Sequence, residues 1–243
     1  MSWLYHTFFH DPLLNGLVFL YQTVALEDLG LAIILLTILI RIILFPVFQK
    51  SVRYQMAMQE IQPKLKKIQE THKKNLEQQS AAMMALYKEH RLNPFSGFLL
   101  LLVQLPILIA LYRIFLNISK PGALAGLYGF ISVPAELHTS LLGLINLEES
   151  NMVIVVLAAI AQYLQGRFSI IRRAPNEEAG AAEKMTRRMN LIVPLLTLLI
   201  FSGLPAAVSL YWLTSSLFSI GQQVLVNRQI AHGKLARDAQ KTD

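Results

Sequence analysis

The sequence predicts an all-α polytopic membrane protein: five transmembrane helices around a hydrophilic groove, a cytosolic helical hairpin and an N-terminal interfacial helix. Three observations carry that prediction. Apolar residues make up 54% of the 243-residue chain and charged residues only 15%, which is membrane-protein composition. Leu29 to Phe48 is 20 residues with a single charge, Arg41, and about 20 apolar residues at ~1.5 Å each match a ~30 Å hydrocarbon core. Lys and Arg, finally, are distributed very unevenly among the polar segments between the apolar runs.

Residues 13–26 are apolar at helical spacing (Leu13, Leu17, Leu20, Tyr21, Val24) and close on Glu27–Asp28. Such a stretch is short for a span, so 1–28 is read as an extracytoplasmic interfacial helix, with a sixth span as the alternative. It has no basic n-region or cleavage-like site, so it is not read as a secretory signal. The five-span core is 29–243. Arg41 in the first span costs roughly 2.5–3.5 kcal/mol on insertion scales. It either lines a wet cavity or snorkels to the headgroups.

Residues 50–93 lack Gly and are rich in helix formers. They predict a hairpin of two helices with its tip at His72–Asn75 and the first helix kinked or interrupted at Pro63. Met56, Met58, Met83 and Met84 offer adaptable apolar contacts beside the basic Lys64, Lys66 and Lys67, a surface suited to varied partners. A plain solvated hairpin is the alternative. The second span is 94–116, with Gln104 and Pro106 near its middle. Segment 117–150 connects it to a third, 151–171. After a polar loop, 172–190, the apolar run 191–225 is broken by Ser202-Gly203-Leu204-Pro205. That gives a short fourth span, 189–201, and a fifth, 205–226, followed by a polar, disordered tail, 227–243.

Segments 49–93, 172–190 and 227–243 carry 9, 5 and 4 Lys/Arg, whereas 1–28 and 117–150 carry 0 and 1. The positive-inside rule then places the N-terminus outside and the C-terminus in the cytosol.

Polar residues share faces within the spans. Thr37 lies one turn before Arg41. Asn151, Gln162 and Gln165 fall in one arc, as do Ser209, Trp212, Ser216, Ser219 and Gln223, and Gln104 adds an amide. Singly, each is explained as glue between helices. Three stripes and an arginine together predict a recess with Arg41 as its cation. No Asp or Glu lies in the five spans, which argues against a proton-coupled pump, and five spans do not divide into equal inverted halves. The absence of cysteine excludes disulfides and thiolate chemistry. No nucleotide-binding or hydrolase motif occurs, so neither an enzyme nor a sequence-specific nucleic-acid binder is expected. His6 and His10 are four apart with no third ligand nearby by helical spacing, so no metal and no cofactor is expected.

On these residues the chain resembles the YidC/Oxa/Alb family of membrane protein insertases over nearly its whole length. The motifs are Arg41 followed by FPVFQKSVRYQMAMQEIQPKLKKIQE, then MMALYKEHRLNPFSGFLLLLVQLPILIALYR, then LPAAVSLYWLTSSLFSIGQQVLVNRQI. The resemblance implies a groove open to the cytosol and sideways to lipid but closed outside, a mobile hairpin, and Arg41 as the groove arginine beside Thr37. It implies a non-enzymatic insertase and chaperone in the bacterial plasma membrane, acting as a monomer on nascent membrane proteins, with the ribosome and a Sec translocon as further partners. Against the family pattern, the sequence is expected to be without the large extracytoplasmic domain of many Gram-negative members and the lipoprotein cysteine common in Gram-positive ones, and it carries Ser216 where many members have Asn. Its short tail argues against ribosome contact there, so a minimal bacterial member is expected. A small-solute channel or transporter and a membrane scaffold are the rival classes.

Overall fold

The computed structural model describes residues 2–93, 96–169 and 181–239. The chain opens on α1 (Ser2–Tyr5), passes through a π-helical turn (His6–His10) and continues as α2 (Asp11–Thr23). Of the expected apolar stripe, Leu13, Leu17 and Tyr21 are buried, joined by Leu14 and Val18, whereas Leu20 is half-buried and Val24, just past the end of α2, is exposed. It packs on α3 (Leu29–Ile43) and α6 (Ser96–Asn117). Asp28, in extended conformation, starts α3 by accepting from the Leu31 amide.

Leu29–Phe48 is not the single straight span its apolar run predicts. α3 stops at Ile43, Leu44 leaves the helical basin (φ −86°, ψ 2°), and α4 (Phe45–Thr71) sets off at 67° to it. Pro46 supplies the reason. It has no N–H with which to extend the α3 ladder, and its fixed φ suits the first turn of a new helix. Pro63, by contrast, does not interrupt α4, which runs through it to Thr71. α5 (Leu76–Glu89) returns after the expected tip, where the Asn75 side chain accepts from the Gln78 amide. The α4–α5 hairpin has a small core of its own: Ile61, Leu65 and Leu86, with Met58, Ile68, Met83, Tyr87 and Leu92 packed around it.

The connecting segment after α6 carries a small hairpin: β1 (Ser140–Leu141) pairs antiparallel with β2 (Ile145–Asn146) through Leu142 and Gly143, both at positive φ, as tight hairpin turns require. Three further expectations change. The loop expected over 172–190 is helical from Ala181 onward, because α8 spans Ala181–Phe201; residues 170–180 lie outside the described residues. The tail expected to be disordered continues α9 (Ala206–Ala239). In both places helix formers such as Ala, Lys, Arg and Met carry a helix past the apolar run that marked it. The Ser202–Pro205 break between α8 and α9 is where the sequence puts it. Asn151, expected on the recess face of the third span, instead caps α7 (Met152–Ser169), accepting from the Val153 and Ile154 amides.

The main core joins α2, α3, α6 and α9 through residues such as Leu17, Tyr21, Ile33, Leu111, Leu210 and Tyr211. Around it runs an outward apolar belt: Leu105 and Ile109 of α6, Val153 and Ile160 of α7, Leu195 and Leu199 of α8, and Leu217 of α9. Exposed apolar side chains on four helices mark surface that lipid or protein would cover. Among the described residues, α7 alone is long and apolar enough to cross a membrane, α3 and α4 qualify only as a bent pair, and Leu102–Asn117 and Arg188–Phe201 are shorter apolar stretches.

Candidate functional site

Arg41 lies in the last turn of α3. Leu39, Ile42 and Ile43 take the outward face there, which turns the guanidinium inward, and it is only 8% exposed. Its Nε and Nη2 both donate to Ser215 Oγ, at 2.8 and 2.5 Å. Its Cζ stands 4.3 Å from the centroid of the Phe48 ring. The bend at Leu44 explains that contact. Seven residues along a straight helix lie ~10 Å apart, and the 67° turn brings the first turn of α4 back over the cation, a favourable cation–π pairing. Among the described residues no carboxylate pairs with Arg41. Ser215 also meets the hydroxyl of Tyr211, which accepts from Gln104 Nε2. One polar chain thus links α3, α9 and α6.

These groups open on a cavity of about 580 Å³. Arg41, Gln104, Gln162, Gln165, Trp212, Ser216, Ser219 and Gln223 all line it. Two expected members do not. Thr37 is 1% exposed and donates to the Ile33 carbonyl of its own helix at 2.6 Å. Ser209 is fully buried in helix packing. Ser215, Ser51, Gln55, Gln59, Gln222 and Asn190 also line the cavity, and sequence reasoning missed them. Gln222 donates to the Phe45 carbonyl at the bend, at 3.1 Å, and Gln59 to the Ser169 carbonyl, at 2.9 Å. Ser215, Ser219 and Gln222 stand at i, i+4 and i+7, a second helical stripe beside the first that was legible in principle. Ser51, Gln55 and Gln59 belong to α4, which only the bend brings to the cavity. Among the described residues, the buried Trp212 Nε1 and Ser51 Oγ have no hydrogen-bond partner, so two polar groups of the lining are free.

The hairpin residues fall into two groups. Met58 and Met83 pack on the hairpin core, Met56 is half-buried, and Met84 is exposed. Lys64 Nζ lies 3.0 Å from His90 Nε2, Lys66 pairs with Glu70 at 3.8 Å, and Lys67 is exposed.

At the other end of the bundle, polar bonds tie α2 to the segment after α6. Asn15 donates to the Gly126 carbonyl (3.1 Å) and accepts from the Tyr128 amide (2.6 Å). Tyr21 OH accepts from the His138 amide (2.9 Å) and donates to the Glu136 carbonyl (3.3 Å). Burial pushes its phenol above the ordinary value, against the lowering effect of the His138 bond, so it stays protonated. Gln22 donates to the Ser132 carbonyl, and Asp28 accepts from the Leu142 amide. The Ala206 and Ala207 amides, two of the unpaired donors at the start of α9, bond to the Glu149 and Leu147 carbonyls. At the N-terminus, His6 and His10 do gain a third neighbour with ligating chemistry: Asp11 stands beside both.

Comparison with known proteins places the family. The family model of the 60Kd inner membrane protein matches residues 19–233. The membrane protein insertases YidC of Francisella tularensis subspecies novicida, tularensis and holarctica are each 33% identical over 207 residues, covering 84% of this chain and 34% of theirs. The chain therefore spans about a third of the length of the curated relatives it matches. With the family match running over most of the sequence, this chain belongs to the 60Kd inner membrane protein family, the YidC/Oxa/Alb family that its motifs resemble.

Proposed function

We propose that this chain inserts nascent membrane proteins into the bilayer and helps them fold, with the Arg41 cavity as the groove that receives a client's polar flank. The observation that carries the reading is Arg41 itself: a buried cation with no carboxylate partner among the described residues, held by one serine and one ring at the wall of an amide-lined cavity. A charge of this kind is costly to keep unless it meets a visiting anion or water.

In this proposal α3, α6, α7, α8 and α9 are the five spans, α2 lies in the outer interface, and the α4–α5 hairpin and the end of α9 are cytosolic. The 9, 5 and 4 basic residues on one side, against 0 and 1 on the other, support that orientation. The polar bonds between α2 and the segment after α6 support a groove closed on the outside. A cavity of about 580 Å³ has room for on the order of ten waters. It shortens the apolar distance that an acidic flank must cross. Arg41 attracts that flank where the local dielectric is low, and the membrane potential, positive outside, adds ~2.3 kcal/mol per charge per 100 mV. The short apolar part of α8 thins the bilayer beside it, and the client's apolar segment slides between α7 and α9 into lipid. The hairpin, with Met84 and Lys67 exposed, makes the first contact, and no covalent step occurs. Ribosome and translocon contacts belong to the same proposal.

Reconstitution into liposomes with a single-span client bearing an acidic N-terminal tail tests the reading. Insertion that needs Arg41, without leakage of small solutes, is the expected result. Solute flux selects a channel or transporter, and equal insertion by wild type and Arg41→Ala across several clients selects a scaffold. Because the chain has no natural cysteine, Ser216→Cys and Gln162→Cys report which side reaches the cavity. Membrane-impermeant thiol reagents are expected to label both from the cytosolic side alone.

A further inference from the structure

We propose that His6, His10 and Asp11 form a binding site for one divalent transition-metal ion of the zinc class, at the closed end of the bundle and apart from the Arg41 cavity. The site follows from the π-helical turn. In an α-helix, at ~100° per residue, His6 and His10 share a face and Asp11 lies ~140° around from His6. Here the Asp11 amide bonds to the His6 carbonyl, five residues back, and a turn closed i to i+5 brings residue i+5 alongside residue i. All three ligating atoms consequently lie within 4.8 Å of one another.

The spacing fits a metal. Asp11 Oδ1 is 2.9 Å from His10 Nδ1 and 3.5 Å from His6 Nδ1. Ligands ~2.0–2.1 Å from a tetrahedral zinc are about 3.3 Å apart, so small rotations of the rings place all three on one ion. Two imidazole nitrogens and one carboxylate oxygen suit zinc, cobalt or iron(II) rather than calcium or magnesium, and leave a further position for water. The carboxylate is held in place from its own backbone: Asn15 donates to the Asp11 carbonyl at 2.7 Å and continues into the Gly126 and Tyr128 bonds. The Tyr5 ring, 5.4 Å from the His6 ring, in turn lies 5.3 Å from the Arg113 guanidinium of α6. An ion here staples the N-terminal turn to the start of α2. The competing explanation is a metal-free cluster, with one imidazole N–H donating to Asp11.

The full chain, without a polyhistidine tag and in nanodiscs, is titrated with Co²⁺ alone and then with Zn²⁺. The expected result is one equivalent of Co²⁺ with the visible band of a tetrahedral site, displaced by Zn²⁺. His6→Ala, His10→Ala and Asp11→Asn should each weaken binding at least tenfold while leaving helicity unchanged. Zn²⁺ should raise the wild-type Tm, reversibly with chelator, and leave the Tm of Asp11→Asn unmoved. No binding by wild type, or the same binding by wild type and all three variants, overturns the site.

Discussion

The two ends of this helical bundle differ in how many of their polar groups are paired, although Gln222 and Gln59 of the cavity lining also bond backbone carbonyls. At the α2 end, Asn15, Tyr21, Gln22 and Asp28 each spend their hydrogen bonds on backbone groups of the segment after α6. At the cavity end, Arg41 has one serine for a partner, and Trp212 Nε1 and Ser51 Oγ have none among the described residues. Satisfied groups hold a fold together, whereas free ones in a cavity are left for a visitor. The difference teaches where to look for stability and where for function. Substitutions at the first end should lower the melting temperature and spare insertion; those at the second should do the reverse.

The largest expected effect is at Arg41. Among the described residues, Arg41→Ala removes the one cation of the cavity lining. Insertion of a client with an acidic tail should fall about tenfold or more, and that of a neutral-tailed client much less, since only the charged flank gains from the attraction. Arg41→Lys should retain most activity if charge alone matters. Stability should hold in Arg41→Ala, within ~1 kcal/mol, because losing a buried charge that has no carboxylate partner offsets the lost Ser215 and Phe48 contacts. Insertion assays paired with thermal unfolding in detergent read both halves. A large fall in Tm with unchanged insertion would break the comparison at its strongest point.

Next in size is the opposite pattern at Asp28. Asp28→Ala loses the cap of α3 (2.8 Å to the Leu31 amide) and the bond to the Leu142 amide. A cap is worth ~1 kcal/mol and an abandoned amide about as much again, so a loss of about 2 kcal/mol is expected, with insertion near wild type below the new Tm. Gly30→Ala tests the same end by packing. A Cβ there would stand 2.4 Å from Leu141 Cδ1 and 2.9 Å from its Cα. Backbone cannot step aside as a side-chain tip can, so overpacking of ~1–3 kcal/mol is expected, again read as a lower Tm with insertion retained.

How far these two ends were legible in the sequence follows from their chemistry. The α2 stripe, the Asn75 tip and the Ser202–Pro205 break announce themselves through periodicity and turn residues. Eight of the ten expected groove residues do line the cavity, because helical arcs survive any modest change in helix length. Thr37 does not, since a threonine can bond its own preceding turn and needs no cavity. The bend at Leu44 is hidden by an apolar run equally hydrophobic on both sides, and with it went the α4 contribution and the Phe48 contact. The helical stretch of α8 before the fourth span and the end of α9 were misread because polarity was taken for irregularity. The π-helical turn was invisible because spacing arguments assume 3.6 residues per turn, and Asp11 was overlooked for that reason alone. The closing bonds of Asn15 and Tyr21 span more than a hundred residues, beyond the reach of any local pattern.

The smallest expected effect sharpens the comparison most. Gly166 of α7 faces α8 at the cavity wall, and an added Cβ would fall 1.6 Å from Asn190 Oδ1. On distance alone this is a worse clash than at Gly30. The atom it meets, however, is the far end of a flexible amide that, among the described residues, makes a long 3.4 Å contact to the Tyr163 carbonyl. Turning that amide away sacrifices little, and Ala favours the helix over Gly by ~1 kcal/mol. Gly166→Ala should therefore change stability by less than about 1 kcal/mol in either direction, far less than Gly30→Ala. Because Asn190 also lines the cavity, its displacement should instead show in insertion, as a drop of about twofold that Asn190→Ala reproduces and that the double variant does not deepen. A melting temperature that falls as far as in Gly30→Ala would mean that the α7–α8 wall is packed as rigidly as the closed end, and the division between a stabilising end and a working end would not hold.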